Sequence, residues 1–166
     1  MFISLMTSLS IGQAYAEKLS TAKTLQPTKD IVSIQNAWVS PTNAGQEVGA
    51  AYMTLTSTQD VTLVGIESNI TKSVEIHSMS MEGGVMKMRM LDTLPLTAGK
   101  PYKLVPGGFH LMLFDLKKPL NVGDQVDFVL HFKASKNNKA SKSNVEFKQN
   151  ISATVQSSAD ANGTAK

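Results

Sequence analysis

The stretch HSMSMEGGVMKMRM, residues 77–90, alternates thioether and polar side chains on both sides of the pair Gly83-Gly84. Alternation with a period of two is typical of a β-strand, and two adjacent glycines suit a hairpin turn in which both residues need positive φ. We therefore predict a hairpin in which Glu82 faces Val85. Directly opposed residues share a face. One face would then carry an imidazole and five thioethers: His77, Met79, Met81, Met86, Met88 and Met90.

Further short β-rich segments lie on both sides of this hairpin. Clusters of Gly, Pro, Asn and Asp separate them at intervals of about ten residues, which is typical of a β-sandwich or barrel. No amphipathic helix of useful length is evident, and 166 residues suffice for one domain with its own core. The sequence therefore predicts an all-β, single-domain fold. The predicted strands are 31–39, 49–58, 61–68, 73–81, 85–91, 102–105, 109–114, 125–133 and 144–155.

Composition and charge narrow the possible partners. The chain is 42% hydrophobic and 17% charged, with a net charge of +3, so most of it should fold. Many lysines fall between Lys133 and Lys148, but no aromatic residue alternates with them before Phe147. A nucleic-acid groove would need a larger basic surface with stacking aromatics. We expect a solvated loop there and no nucleic-acid partner, although a weak docking patch for an acidic protein stays open.

The amino terminus resembles an export signal. Residues 1–16 are apolar and end in Ala14-Tyr15-Ala16, which fits the small-x-small cleavage pattern, although no Lys or Arg precedes the apolar run. They are too few to span a bilayer, so we expect a signal peptide and no membrane span in the mature chain. The sequence leaves open whether this segment is cleaved or retained as an anchor. We predict a polar linker at 17–30, the folded domain at 31–155 and a disordered tail at 156–166.

The residue types in two segments favour a soft metal. His77 is followed after ten residues by Met88, and after twenty-one more by His110, with Met112 two positions on. His110 and Met112 would share a strand face, and in the predicted hairpin Met88 is the diagonal neighbour of His77. Gly107 and Gly108 would permit a tight turn before His110. Imidazole and thioether donors without any cysteine favour Cu(I).

The same residues allow other interpretations. A methionine stripe more often fills gaps in a core, so core or rim packing is expected for Met53, Met81, Met86 and Met90 taken one by one. Trp38, Leu111 and Leu113 should be core residues, and His131 a strand residue at the surface.

Two segments carry a family resemblance. VEIHSMSMEGGVMKM (74–88) and PGGFHLMLFDLKKPL (106–120), with matching stretches upstream and downstream, resemble the periplasmic PCuAC copper chaperone family over roughly 31–155. The resemblance implies a cupredoxin-like, Greek-key β-sandwich that binds one Cu(I) per chain. It implies delivery to the dinuclear copper centre of cytochrome c oxidase, alongside Sco-type proteins, in the periplasm. The ligands it implies are His77, Met88, His110 and Met112, with Met79 and Met81 as auxiliary ligands.

Competing functions are less consistent with the sequence. A copper enzyme would keep an open coordination position and typically use more imidazoles, whereas the chain has three histidines and no visible triad or paired carboxylates. A blue-copper electron carrier needs a cysteine ligand, and there is none. A metal-free interaction domain stays open, as does copper storage or resistance, which would use the same site. We expect a monomer that is not an enzyme.

Overall fold

The described part of the chain consists of ten strands and one short helix. The computed structural model describes residues 31–134 and 145–161. The predicted signal peptide, the polar linker and the last five residues of the predicted tail lie outside the described residues. The elements are β1 (Val32–Val39), β2 (Val48–Ser57), β3 (Val61–Ser68), β4 (Ser73–Glu82), β5 (Val85–Leu91), β6 (Leu94–Leu96), β7 (Pro101–Leu104), β8 (His110–Phe114), β9 (Gln125–Ala134), β10 (Glu146–Val155) and the single turn α1 (Ser158–Ala161).

The prediction of an all-β fold is confirmed. Each of the nine predicted strands has a counterpart within a residue or two of its expected ends, and β6 is an additional strand of three residues. The helix α1 lies within the segment 156–166, and none of its residues is buried. Among the residues described, no helix has the length and apolar content needed to cross a bilayer.

The ten described strands form one hydrogen-bonded sheet. Its order is β5-β4-β8-β2-β1-β10-β9-β3-β6, and β7 also pairs with β2, beyond the end of β8. Every described pairing is antiparallel except that of β1 with β10. β3 and β4 lie far apart in this order, yet their residues are in contact. The sheet therefore curls until its two halves face each other across one core, as in a β-sandwich.

The core lies between these two halves. Leu111 and Leu113 of β8 are fully buried, as predicted, together with Phe128 and Phe132 of β9. Burying one such side chain contributes about 1.5–3 kcal/mol relative to leaving it exposed. Trp38 is buried as well, and its ring lies 4.4 Å from that of Tyr52, which confirms its prediction as a core residue.

Alternation along β4 and β8 decides which side chains face away from this core. Ile76 and Leu111 are opposed across the two strands, and both are buried on the core side. Their neighbours His77 and His110 must therefore project from the other face of the sheet. The core thus orients two histidines outward by fixing the apolar residues between them.

Candidate metal centre

The hairpin of residues 77–90 has the predicted register. Glu82 faces Val85, Met79 faces Met88, and His77 faces Met90. Gly83 and Gly84 form the turn with φ of +61° and +78°, as a two-residue turn of the favoured type requires. The six side chains expected on one face are therefore aligned there in three directly opposed pairs.

The opposite face of this hairpin carries the charged groups. The Glu82 carboxylate accepts hydrogen bonds from Lys87 Nζ and from the Arg89 guanidinium, each at 3.0 Å. These ion pairs are exposed, so their net contribution to stability is at most about 1 kcal/mol. Their main effect on the site is spatial, because they hold the one carboxylate of the hairpin away from the thioethers.

β8 brings the second half of the site next to the first. His110 is directly opposite His77 across β4 and β8, and Met112 is directly opposite Glu75. The ring centroids of the two histidines are 5.8 Å apart. His77, His110 and Met112 thus share one face of the sheet, and Met88 lies on the same face one strand further out. The structure brings all four sequence-predicted ligands into one neighbourhood.

The tautomer of His110 follows from its backbone contact. Its Nδ1 lies 3.0 Å from the carbonyl oxygen of Gly108, and the side chain is only 4% exposed. Since a carbonyl oxygen only accepts, Nδ1 must carry the proton, and the lone pair of a neutral ring is on Nε2. Gly107 has a φ of +80°, so a glycine is required for the tight turn that places this carbonyl.

His77 is held in a corresponding way by a carboxylate. Its Nε2 lies 2.9 Å from Glu75 Oε2, so Nε2 donates and the lone pair of the neutral ring is on Nδ1. That Nδ1 is buried and has no hydrogen-bond partner among the described residues. A buried polar atom without a partner is costly and calls for an explanation. A metal ion at Nδ1 would satisfy it, and a carboxylate that orients the imidazole is a usual companion of a metal-bound histidine.

The contribution of Glu75 was missed in the sequence. Its position two residues before His77 places it on the same strand face, so the alternation that found the methionines also contained this signal.

The exposure of the methionines narrows one expectation. Core packing holds for Met53, which is 2% exposed, whereas Met81, Met86 and Met90 are 68%, 54% and 56% exposed and are not core residues, so only the rim alternative remains for them. Met86 and Met90 lie on the edge strand β5, and Met81 is among the last three residues of β4, which are all exposed. Met88 is 50% exposed, whereas Met112 and Met79 are half-buried.

The chemistry of the donors limits which metals fit. Within 31–134 and 145–161, no three His, Asp or Glu side chains converge on a common point. Carboxylates and imidazoles alone therefore give no candidate cluster of three ligands among these residues. Two free imidazole nitrogens beside thioethers fit a soft cation such as Cu(I).

His131, the remaining histidine, lies on β9 beside Glu67 and takes no part in this group. The His131 side chain is 22% exposed, so it is more buried than expected from its prediction as a surface residue.

Comparison with solved structures places the fold among copper-binding domains. The chain resembles the copper-bound PCuAC domain from PmoF2 with a TM-score of 0.57 and 23% identity, covering 76% of this chain and 92% of that domain. It resembles the solution structure of CuI-DR1885 from Deinococcus radiodurans with a TM-score of 0.55 and 29% identity, covering 76% of this chain and 78% of that one. The expected fold is confirmed by these neighbours.

Two sequence relatives each match about two thirds of the chain. The chain is 28% identical over 114 residues to "Putative lipoprotein Lxx21020" of Leifsonia xyli subsp. xyli, covering 68% of this chain and 69% of that protein. It is 34% identical over 114 residues to RP573 of Rickettsia prowazekii, covering 65% of this chain and 63% of that protein. The chain thus spans about two thirds of each relative. The family model described as "Putative lipoprotein LpqE-like" matches residues 32–148, and the chain therefore belongs to the LpqE-like family.

Proposed function

We propose that this chain is a copper chaperone that binds one Cu(I) through His77, Met88, His110 and Met112. The observation that carries the proposal is the pairing of His77 with His110 on a thioether-bearing face. Each ring has one nitrogen hydrogen-bonded to the protein, at Glu75 or at Gly108, and its other nitrogen available. Imidazoles fixed in this way beside neutral sulfur donors suit a soft, monovalent cation.

The arrangement also suits a protein that must release its metal. All four proposed ligands are neutral, so the bound Cu(I) keeps its positive charge and stays attractive to a thiolate or imidazole of a recipient. The two histidines are at least half-buried, whereas Met88 on the edge strand is half exposed. We expect a recipient to displace Met88 first and the histidines last. Met79, directly opposite Met88, and Met81 would serve as auxiliary ligands during the exchange.

Recipient and compartment are part of the same proposal. The copper-bound state of DR1885 supports copper as the cargo, and copper-binding neighbours support a carrier rather than an enzyme. The lipoprotein description of the family and of the Leifsonia relative supports export, consistent with a periplasmic protein. Delivery to the dinuclear copper centre of cytochrome c oxidase, with a Sco-type partner, rests on the PCuAC resemblance alone.

A competition titration tests the copper site. The purified protein is titrated anaerobically with Cu(I) against a chromophoric chelator, beside a variant that combines His110→Ala with Met112→Ala. We expect tight binding in the wild type and its loss in the variant, with circular dichroism showing that both are folded. A folded wild-type protein that leaves all the copper on the chelator would refute the proposal.

Delivery is separated from storage by a different experiment. Purified copper-loaded protein is mixed with the apo copper-centre domain of the oxidase, and copper transfer is followed spectroscopically. Deletion of the gene should lower oxidase activity and leave copper tolerance unchanged. Copper sensitivity with a normal oxidase would instead assign the same site to storage or resistance.

A further inference from the structure

The tip of the β4–β5 hairpin carries thioethers that the proposed four-ligand site does not use. Met81 and Met86 are directly opposite each other. Glu82 separates Met81 from the Gly83-Gly84 turn, and Val85 separates Met86 from it. Met79 lies on the same face, two residues before Met81. Side chains of directly opposed residues have Cβ atoms about 4.5–5.5 Å apart, within easy reach of a shared ion for a side chain as flexible as methionine.

Packing does not account for these methionines. Met81 and Met86 are 68% and 54% exposed, so neither stabilises the core. Single exposed apolar residues are ordinary, but on this face of the hairpin the exposed apolar residues are clustered and are all thioethers. The hairpin also sorts its side chains strictly, since Glu82, Lys87 and Arg89 pair with one another on the opposite face. A surface that served only solubility would not need this separation.

We propose that Met79, Met81 and Met86 form a second Cu(I) site at the tip of the hairpin, built from sulfur donors alone. Thioethers are soft, neutral ligands and select Cu(I) over divalent ions that prefer oxygen or nitrogen. The nearby Glu82 carboxylate is held by two cations on the other face, so it offers no oxygen to a harder ion. This second site takes its cargo from the proposed copper function, and its three ligands are not among the four that hold Cu(I) in the first site. Met79 and Met81, which assist exchange at the first site, here act as ligands in their own right.

The position of Met88 connects the two sites. Met88 is directly opposite Met79 and diagonal to His77, so it lies between the tip and the histidines. A Cu(I) ion held at the tip reaches the histidines by stepwise ligand exchange. Met88 replaces Met86, His77 replaces Met81, and His110 and Met112 then bind as Met79 leaves. No bond other than the metal–ligand bonds changes, and the oxidation state of copper stays the same. The tip is thus a loading or unloading position for the inner site.

Stoichiometry tests this inference on the full chain. Cu(I) is titrated anaerobically into the wild type, into a tip variant that combines Met81→Leu with Met86→Leu, and into a histidine variant that combines His77→Ala with His110→Ala. We expect two equivalents in the wild type, of which the second is the weaker, and one in each variant. Both leucine substitutions fall on exposed positions, so folding is unaffected. Met90→Leu is the matched control on the same hairpin, and it should leave the weaker equivalent in place.

Each outcome of the titration is decisive. One equivalent in the wild type that the tip variant retains overturns the second site and leaves the first intact. One equivalent that the histidine variant retains and the tip variant loses supports the tip site and refutes the four-ligand proposal. A second readout uses Ag(I), a redox-inert probe, with methyl-labelled methionine in the wild-type protein. Saturating Ag(I) should shift the methyl resonances of Met79, Met81 and Met86, and unshifted Met81 and Met86 resonances would overturn the inference.

Discussion

Nε2 of His77 lies 2.9 Å from the carboxylate of Glu75, two residues earlier on the same face of β4. This contact fixes the proton on Nε2 and leaves Nδ1 as the buried nitrogen with a lone pair. His110 reaches the complementary state through a backbone carbonyl. The tautomer of His77 therefore depends on a side chain that mutation can remove, whereas that of His110 depends on the backbone.

Removal of the Glu75 carboxylate should weaken copper binding. We expect Glu75→Ala to lower the Cu(I) affinity by about 10-fold, because partners that orient a metal-bound histidine are typically worth 10–100-fold. Glu75→Gln should lower it less, since the amide oxygen can still accept the hydrogen bond from Nε2. Competition titrations of the three proteins measure the difference. Equal affinities for the wild type and Glu75→Ala would show that this contact does not prepare His77 for copper.

The thioether of Met112 should matter for copper but hardly for folding. Met112→Leu keeps a similar volume and removes the sulfur, so we expect a loss of Cu(I) affinity with a change in the free energy of unfolding below about 1.5 kcal/mol. Met53→Leu is the matched control, because Met53 lies in the core and shares no face with the histidines. It should leave the affinity unchanged. Comparable affinities in the two variants would exclude Met112 as a ligand.

Copper affinity should fall as the pH falls. Each imidazole must be deprotonated to bind a metal, whereas a thioether does not titrate, so protons compete at His77 and His110 only. We expect the decline in affinity to become steeper than one proton can produce, because both imidazoles must lose a proton to bind the metal. The single variant His77→Ala should show a shallower decline. A pH-independent affinity in the wild type would exclude histidine ligation.

The turn of the hairpin should tolerate only certain residues. Gly84 has a φ of +78°, and a Cβ added there would meet no atom within 4 Å, so the restriction comes from the backbone and not from space. Gly84→Val should destabilise the hairpin by roughly 1–2 kcal/mol, because side chains disfavour this conformation. Gly84→Asn should cost less, since asparagine tolerates it. Amide hydrogen exchange in β5 reports the opening of the hairpin, and equal exchange rates in the two variants would contradict this explanation.

Local features of the fold could be predicted well from the sequence. The register of residues 77–90 followed from Gly83-Gly84 and a period of two, because both act over a few residues. β6 was missed because its alternation covers only three residues, Leu94 to Leu96, with a proline at the centre. Proline is confined to positions such as sheet edges, and β6 lies at the edge of the order.

The pairing of His77 with His110 could only be anticipated in outline. The sequence showed that both halves of the site carry suitable donors, but the two residues belong to strands that are separated by β5, β6 and β7. Their register is set by the packing of Ile76 and Leu111 on the core side, which depends on the whole sandwich. The exposure of Met86 and Met90 likewise depends on which strand ends the sheet, and a single sequence does not reveal the strand order. Met81 is exposed because it lies at the tip of the hairpin, where the last three residues of β4 are all exposed.

The exposed thioethers on β5 and the hairpin tip carry a vulnerability of their own. Oxidants convert an accessible methionine to its sulfoxide, a polar group that no longer offers a soft sulfur donor, and a reductase is needed to restore it. Met53 in the core is shielded, whereas Met81, Met86 and Met88 face solvent. The proposed capacity of this protein for copper would therefore be tied to the oxidative state of its surroundings, and its upkeep would depend on the repair of methionine sulfoxide.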